Sequence, residues 1–197
     1  MSESITVSAT NDLNGQVPQL AFPSNQLKTN ADTIEFSWAI LSGATDHRIE
    51  LTDLNASSQV LNNLVSGGQY QWLTDEGYYQ WGVQALNANS SSQFAYRELT
   101  IDKSPPSAPV QTSPNDGSTL NAGSVSFSWS SGVDNLTTVT DTLYIENVDS
   151  ATVLLVPAAI SGYTTTLSAG NYSWKLKSAN EVGLSTNSAQ VFQFDVQ

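Results

Sequence analysis

The sequence predicts an all-β chain built as two tandem antiparallel β-sandwiches joined by a proline-rich hinge. Three observations predict it. The chain repeats itself internally, its apolar residues alternate with a period of two, and three prolines crowd into five residues where the repeats meet.

The repeat is visible without gaps. Pro18 over Pro109 brings Pro23 onto Pro114, Asn30-Ala31 onto Asn121-Ala122, and Phe36-Ser37-Trp38 onto Phe127-Ser128-Trp129, with Ile34 over Val125. The offset there is 91. A second block follows at offset 93, where Gly77-Tyr78-Tyr79-Gln80-Trp81-Gly82-Val83 meets Gly170-Asn171-Tyr172-Ser173-Trp174-Lys175-Leu176 and Asn87 meets Asn180. At the same offset Ile101-Asp102 lands on Phe194-Asp195. The drift implies small insertions in loops, which sandwiches tolerate.

The period of two then places the strands. Ile34, Phe36 and Trp38 alternate with Glu35 and Ser37, as Val125, Phe127 and Trp129 do with Ser126 and Ser128. Ile49 and Leu51 form a further strand, matched by Leu143 and Ile145. Tyr79, Trp81, Val83 and Ala85 point one way and Gln80, Gly82 and Gln84 the other; Tyr172, Trp174 and Leu176 repeat this with Lys175 and Lys177 outward. Strict alternation marks strands with one buried and one wet face. Ser66-Gly67-Gly68, Asn115-Asp116-Gly117 and Ala169-Gly170-Asn171 supply turns between them. No stretch long enough for a helix shows a 3.6-residue period.

The hinge is Asp102-Lys103-Ser104-Pro105-Pro106-Ser107-Ala108-Pro109. Proline lacks the N–H a central strand needs and stiffens a connection toward polyproline conformation, so the modules are expected to stand apart, end to end. The expected domains are residues 18–103 and 104–197, preceded by an N-terminal segment 1–17. Its Ile5-Thr6-Val7 run is read as a strand added to an edge of the first module, or as the last strand of a preceding one.

These residues carry a resemblance. The frame from proline to Phe-Ser-Trp, an alternating strand, and then Gly-x-Tyr-x-Trp resembles fibronectin type III-like and immunoglobulin-like repeats, with Trp38, Trp129, Tyr79 and Tyr172 where that family has core aromatics. The stretch from Asp102 through Val110 to Phe127-Ser128-Trp129 looks like repeats of bacterial cell-surface or secreted proteins. Ala179-Asn180-Glu181-Val182-Gly183-Leu184-Ser185 fits the family's turn between its sixth and seventh strands; Leu86-Asn87-Ala88-Asn89-Ser90 has no glycine there, so that turn is expected to be built differently. The resemblance implies a fold and says little about activity. Neither module contains an Arg-Gly-Asp triplet.

Composition narrows the function. Charged residues are 12% of the chain, about half the usual ~25%, and Ser, Thr, Asn and Gln take their place. That is a surface common in secreted β-proteins. The net charge of −12 repels phosphate backbones and anionic lipid, so nucleic acid is excluded as a partner, and no apolar run approaches a membrane span. There is no cysteine for disulfides or thiolate sites. No hydrophobic stretch follows Met1 as a signal peptide would, so export implies a targeting segment outside this sequence.

Few side chains carry chemistry. His47 is the single histidine, and its phase with Ile49 and Leu51 turns it into a core. The 18 acids are scattered over turns and strand ends, as on a solvated surface. Asn11-Asp12-Leu13-Asn14-Gly15 spaces oxygen ligands as a calcium loop does but lacks the remaining acids, so a plain Asn-Gly turn is the stronger reading and no cofactor is expected. A lysine–asparagine crosslink, which the resemblance raises, would need a buried lysine, and Lys175 and Lys177 point outward. Trp72 alone among five tryptophans has no repeat counterpart. With Tyr70, Asp75 and Tyr78 it forms a candidate site for stacking a sugar ring or anchoring a protein; alternatively it closes the bottom of the first core. The leading expectation is a non-catalytic extracellular or cell-surface module pair for adhesion, protein binding or spacing. The alternative is a carbohydrate-binding surface protein of bacterial glycan uptake.

Overall fold

Burial in the computed structural model, which describes residues 12–197, follows the alternation in the sequence. Every regular element among these residues is a β-strand, and the chain divides into two compact units after Asp102.

The first module contains β1 (Leu20–Phe22), β2 (Leu27–Thr29), β3 (Thr33–Trp38), β4 (Asp46–Asp53), β5 (Ser58–Val65), β6 (Gln69–Leu73), β7 (Gly77–Leu86) and β8 (Ala95–Ile101). They form a three-stranded sheet, β1-β3-β6, and a five-stranded sheet, β2-β8-β7-β4-β5. The second contains β9 (Val110–Ser113), β10 (Ser118–Leu120), β11 (Gly123–Ser130), β12 (Val139–Asn147), β13 (Thr152–Ala159), β14 (Tyr163–Leu167), β15 (Gly170–Asn180), β16 (Ser185–Asn187) and β17 (Phe192–Val196). Its sheets are β9-β11-β14 and β10-β17-β15-β12-β13, with β16 also on β15. In each module the N-terminal stretch switches sheets at a repeat-matched cis proline, Pro23 or Pro114, and then pairs in parallel with the last strand.

Eight apolar positions of the two cores correspond by repeat and register. Ile34, Phe36, Trp38, Ile49, Leu51, Tyr79, Trp81 and Val83 are buried in the first, and Val125, Phe127, Trp129, Leu143, Ile145, Tyr172, Trp174 and Leu176 in the second. Each module also closes a tyrosine corner: Tyr79 Oη donates to the Asp75 carbonyl at 3.2 Å, and Tyr172 Oη to the Ser168 carbonyl at 3.0 Å.

One repeat match is corrected by strand register. Gly77 pairs with Ile101, but Gly170 pairs with Val196, so Ile101 corresponds to Val196 and not to Phe194. The reason is local. In the first module Tyr96 alone stands opposite Gly82, between the Val83–Ala95 and Trp81–Arg97 pairs. In the second, Ala189, Gln190 and Val191 stand opposite Lys175, between Ser188, whose N–H bonds the Leu176 carbonyl, and the Trp174–Phe192 pair. The two extra residues form a bulge that shifts the rest of the strand.

The Ile5–Val7 segment lies outside the described residues. Residues 12–17 hold to the first module: Leu13 is fully buried, its N–H bonds Ser90 Oγ at 2.9 Å, and the Gln93 N–H bonds the Gln16 carbonyl. The two β7–β8 and β15–β16 turns do differ. Asn87 Oδ1 accepts from the N–H groups of Asn89 and Ser90, whereas Asn180 Oδ1 accepts from Leu184 across a longer turn with Gly183 at φ +88°.

Candidate functional site

The four residues singled out from the sequence do not share one surface. Tyr70 and Trp72 lie on β6, opposite Phe36 and Ile34 of β3, and pack against the first core. The Trp72 ring meets Tyr79 edge-on at 5.1 Å and lies 6.3 Å from Phe36. Tyr70 Oη accepts a hydrogen bond from Asn63 Nδ2. Asp75 is exposed in the β6–β7 turn, and its carbonyl anchors the tyrosine corner. Tyr78 alternates with the buried Tyr79, so it lies on the outer face of β7, where its hydroxyl bonds the Glu98 carboxylate. That bond holds the Tyr78 phenol pKa above its ordinary value.

The second module has no ring at the position of Trp72 and supplies one from a different strand. In the second module Thr165 takes its place opposite Val125. Phe194, which corresponds in register to Leu99, stacks on Tyr172 at 5.5 Å and meets Phe127 at 5.9 Å. One large ring thus contacts the same two repeat-matched aromatics in both modules, supplied by β6 in one and β17 in the other.

His47 is sealed in. It is 1% exposed, its ring lies 5.8 Å from Trp38, and neither ring nitrogen has a hydrogen-bond partner among the described residues. Burial lowers its pKa, against a smaller opposing effect of Asp46. In the calcium-like loop, the Asn14 N–H bonds Asp12 Oδ1 at 2.9 Å, an Asx-turn that uses the carboxylate locally; Asn11 lies outside the described residues. Among the described residues no group of three or more His, Asp or Glu side chains converges as a metal site requires, and no helix is long and apolar enough to cross a membrane.

The outer faces of the two large sheets hold the remaining polar chemistry. In the first module the Tyr96 ring covers Gly82, where a β-carbon would lie 2.4 Å from it, and reaches Glu50 with a 2.7 Å hydrogen bond. Burial, and then that bond, push the Tyr96 pKa up to about 12. In the second module the same face opens into a groove of about 180 Å³ between Val153 and Val191, with Tyr144, Glu146, Ser173 and Lys175 along it. Sequence periodicity placed Lys175 outward but could not show the groove, because its Val191 wall belongs to the bulge.

Paired sheets of this order, matched tryptophans and two tyrosine corners define a tandem of fibronectin type III-like sandwiches. Solved structures of that class resemble the chain. The FN1–FN3 domains of chicken CNTN1 match 93% of it and 68% of their own length at 16% identity, with a TM-score of 0.50. The fibronectin(III)-like modules of Clostridium thermocellum CbhA match 91% of it and 92% of their own length at 10% identity and TM-score 0.42. A two-domain fibronectin type III segment of chicken tenascin matches 91% and 98% at 10% identity and TM-score 0.38. No family model and no curated protein matches the sequence.

Proposed function

We propose that the chain is a non-catalytic, extracellular or cell-surface module pair that acts in adhesion, protein binding or spacing. The observation that carries this reading is the state of His47. The chain's single histidine, its obvious general base, is 1% exposed beside Trp38, and neither of its ring nitrogens has a hydrogen-bond partner among the described residues. The neutral-polar composition and the two self-sufficient cores support a stable module that meets its surroundings through its surface. Incubation of the purified chain with ester, peptide and glycoside substrates is expected to give no turnover above buffer. Turnover that disappears in a His47→Ala or an Asp/Glu variant would overturn the reading.

A further inference from the structure

The groove on the second module is built rather than incidental. Its row of residues runs Val153–Glu146–Ser173 across β13, β12 and β15, with Tyr144 and Lys175 one row along. Its far wall, Val191, exists because of the two-residue bulge, which the first module lacks. Both valines are about half exposed, at 53% and 51%. Val153 lies on β13 and Val191 in the bulge just before β17, three strand spacings away, so roughly 14 Å separates their backbones. The floor is Ser173, itself only 6% exposed, whose hydroxyl donates a long 3.4 Å hydrogen bond to Glu146 Oε2. The Lys175 ammonium stands 5.5 Å from the Tyr144 ring centroid, a cation–π distance that holds the donor in place before any ligand arrives.

These features fit one ligand chemistry. The volume is close to that of a cavity of about 150 Å³ that takes one benzene ring, the scale of a single small ring. Glu146 and Lys175 cancel in charge, so an anionic or cationic ligand would satisfy one and confront the other. A neutral ring bearing hydroxyls can donate to the carboxylate, accept from the ammonium and exchange with Ser173. Its C–H faces can then pack between the valines and the tyrosine. We propose that this groove binds a neutral pyranose unit of an oligosaccharide. The proposal rests on the reading of the chain as a binding module and gives one of its faces a ligand class.

The test is an NMR titration of the whole chain, methyl-labelled, with neutral gluco-, galacto-, manno- and xylo-oligosaccharides. At least one sugar is expected to shift the Val153 and Val191 methyl signals with saturation, at a dissociation constant of about 1 mM. Lys175→Ala and Glu146→Gln are each expected to weaken it about tenfold. Val191→Asp should abolish it while the methyl signals of both cores stay dispersed. The proposal fails if no sugar saturates those signals, if the shifts map to another face, or if Val191→Asp leaves binding unchanged. It also fails if a charged sugar or N-acetyltyrosinamide competes more tightly than every neutral sugar. Each of these leaves the non-catalytic reading standing. New anomeric signals from cleaved sugar in the same spectra would instead strike at that reading.

Discussion

The two modules share a pair of core tryptophans and treat their indole nitrogens in opposite ways. In the second module Trp129 Nε1 donates to Asp141 Oδ2 at 2.6 Å, and Ser131 and Ser178 hydroxyls complete the carboxyl's partners at 2.5 Å each. Trp174 Nε1 donates to the Pro114 carbonyl at 3.1 Å. In the first module the places of Asp141, Ser131 and Ser178 fall to His47, Ile40 and Ala85, and Trp38 Nε1 has no hydrogen-bond partner among the described residues. The carbonyl of Pro23, matched to Pro114, is taken at 2.7 Å by Arg97, which also bonds the carbonyls of Leu20 and Ala21; Trp81 Nε1 has no hydrogen-bond partner among the described residues. Phe192 stands in register where Arg97 does, which frees the Pro114 carbonyl for tryptophan. The lesson is that an apolar frame can be duplicated intact while its buried polar contacts are not. Each unpaired buried donor costs about 1–3 kcal/mol.

The largest effect should come from the best-satisfied site. Asp141→Ala strands three donors at once and is expected to cost the second module about 3 kcal/mol. Denaturant unfolding followed by hydrogen exchange in peptides of each module would read it. A loss under about 1 kcal/mol would remove the contrast between the modules.

Next comes the swapped ring. Trp72→Thr is expected to cost the first module about 2 kcal/mol, less than for a fully buried tryptophan because the ring is half-buried. Adding Leu99→Phe imports the second module's solution and should recover at least about 1 kcal/mol. Simple additivity of the two changes would mean that the rings are not alternatives for one space.

The smallest effect concerns His47. Its folded pKa lies below the ordinary 6.5, so the unfolded imidazole takes up a proton more readily than the folded one. The stability tied to its neutral form is therefore complete above pH 6.5 and is lost as pH falls through the lowered folded value. The first module's melting temperature should drop between pH 7 and pH 5. His47→Leu should remove that component and change stability at pH 7 by no more than about 1 kcal/mol. An unchanged pH profile in His47→Leu would place the acid sensitivity elsewhere.

Much of this was legible beforehand, because burial on one face of a strand writes itself into alternate residues. The matched core rows, the tandem and the buried phase of His47 all follow from it. The place of Trp72 was not legible. Its replacement, Phe194, lies on another strand and was masked by a bulge that moves the register by two residues. The groove was hidden for the same reason: Val191 reads as one more loop residue until strand pairing shows what it stands beside. The fates of the indole nitrogens depend on which side chain reaches a given carbonyl first, and spacing along a chain does not encode that contest.

The parallel pairing of β2 with β8 and of β10 with β17 has a mechanical consequence. Each pair joins a strand near a module's entry to the strand at its exit, through three residue pairs in register. Because the paired strands run the same way, tension between entry and exit drags them in opposite directions along their length. The rungs are then loaded together, in shear, instead of being unzipped one after another. Either module is thus fitted to carry a pull along the chain.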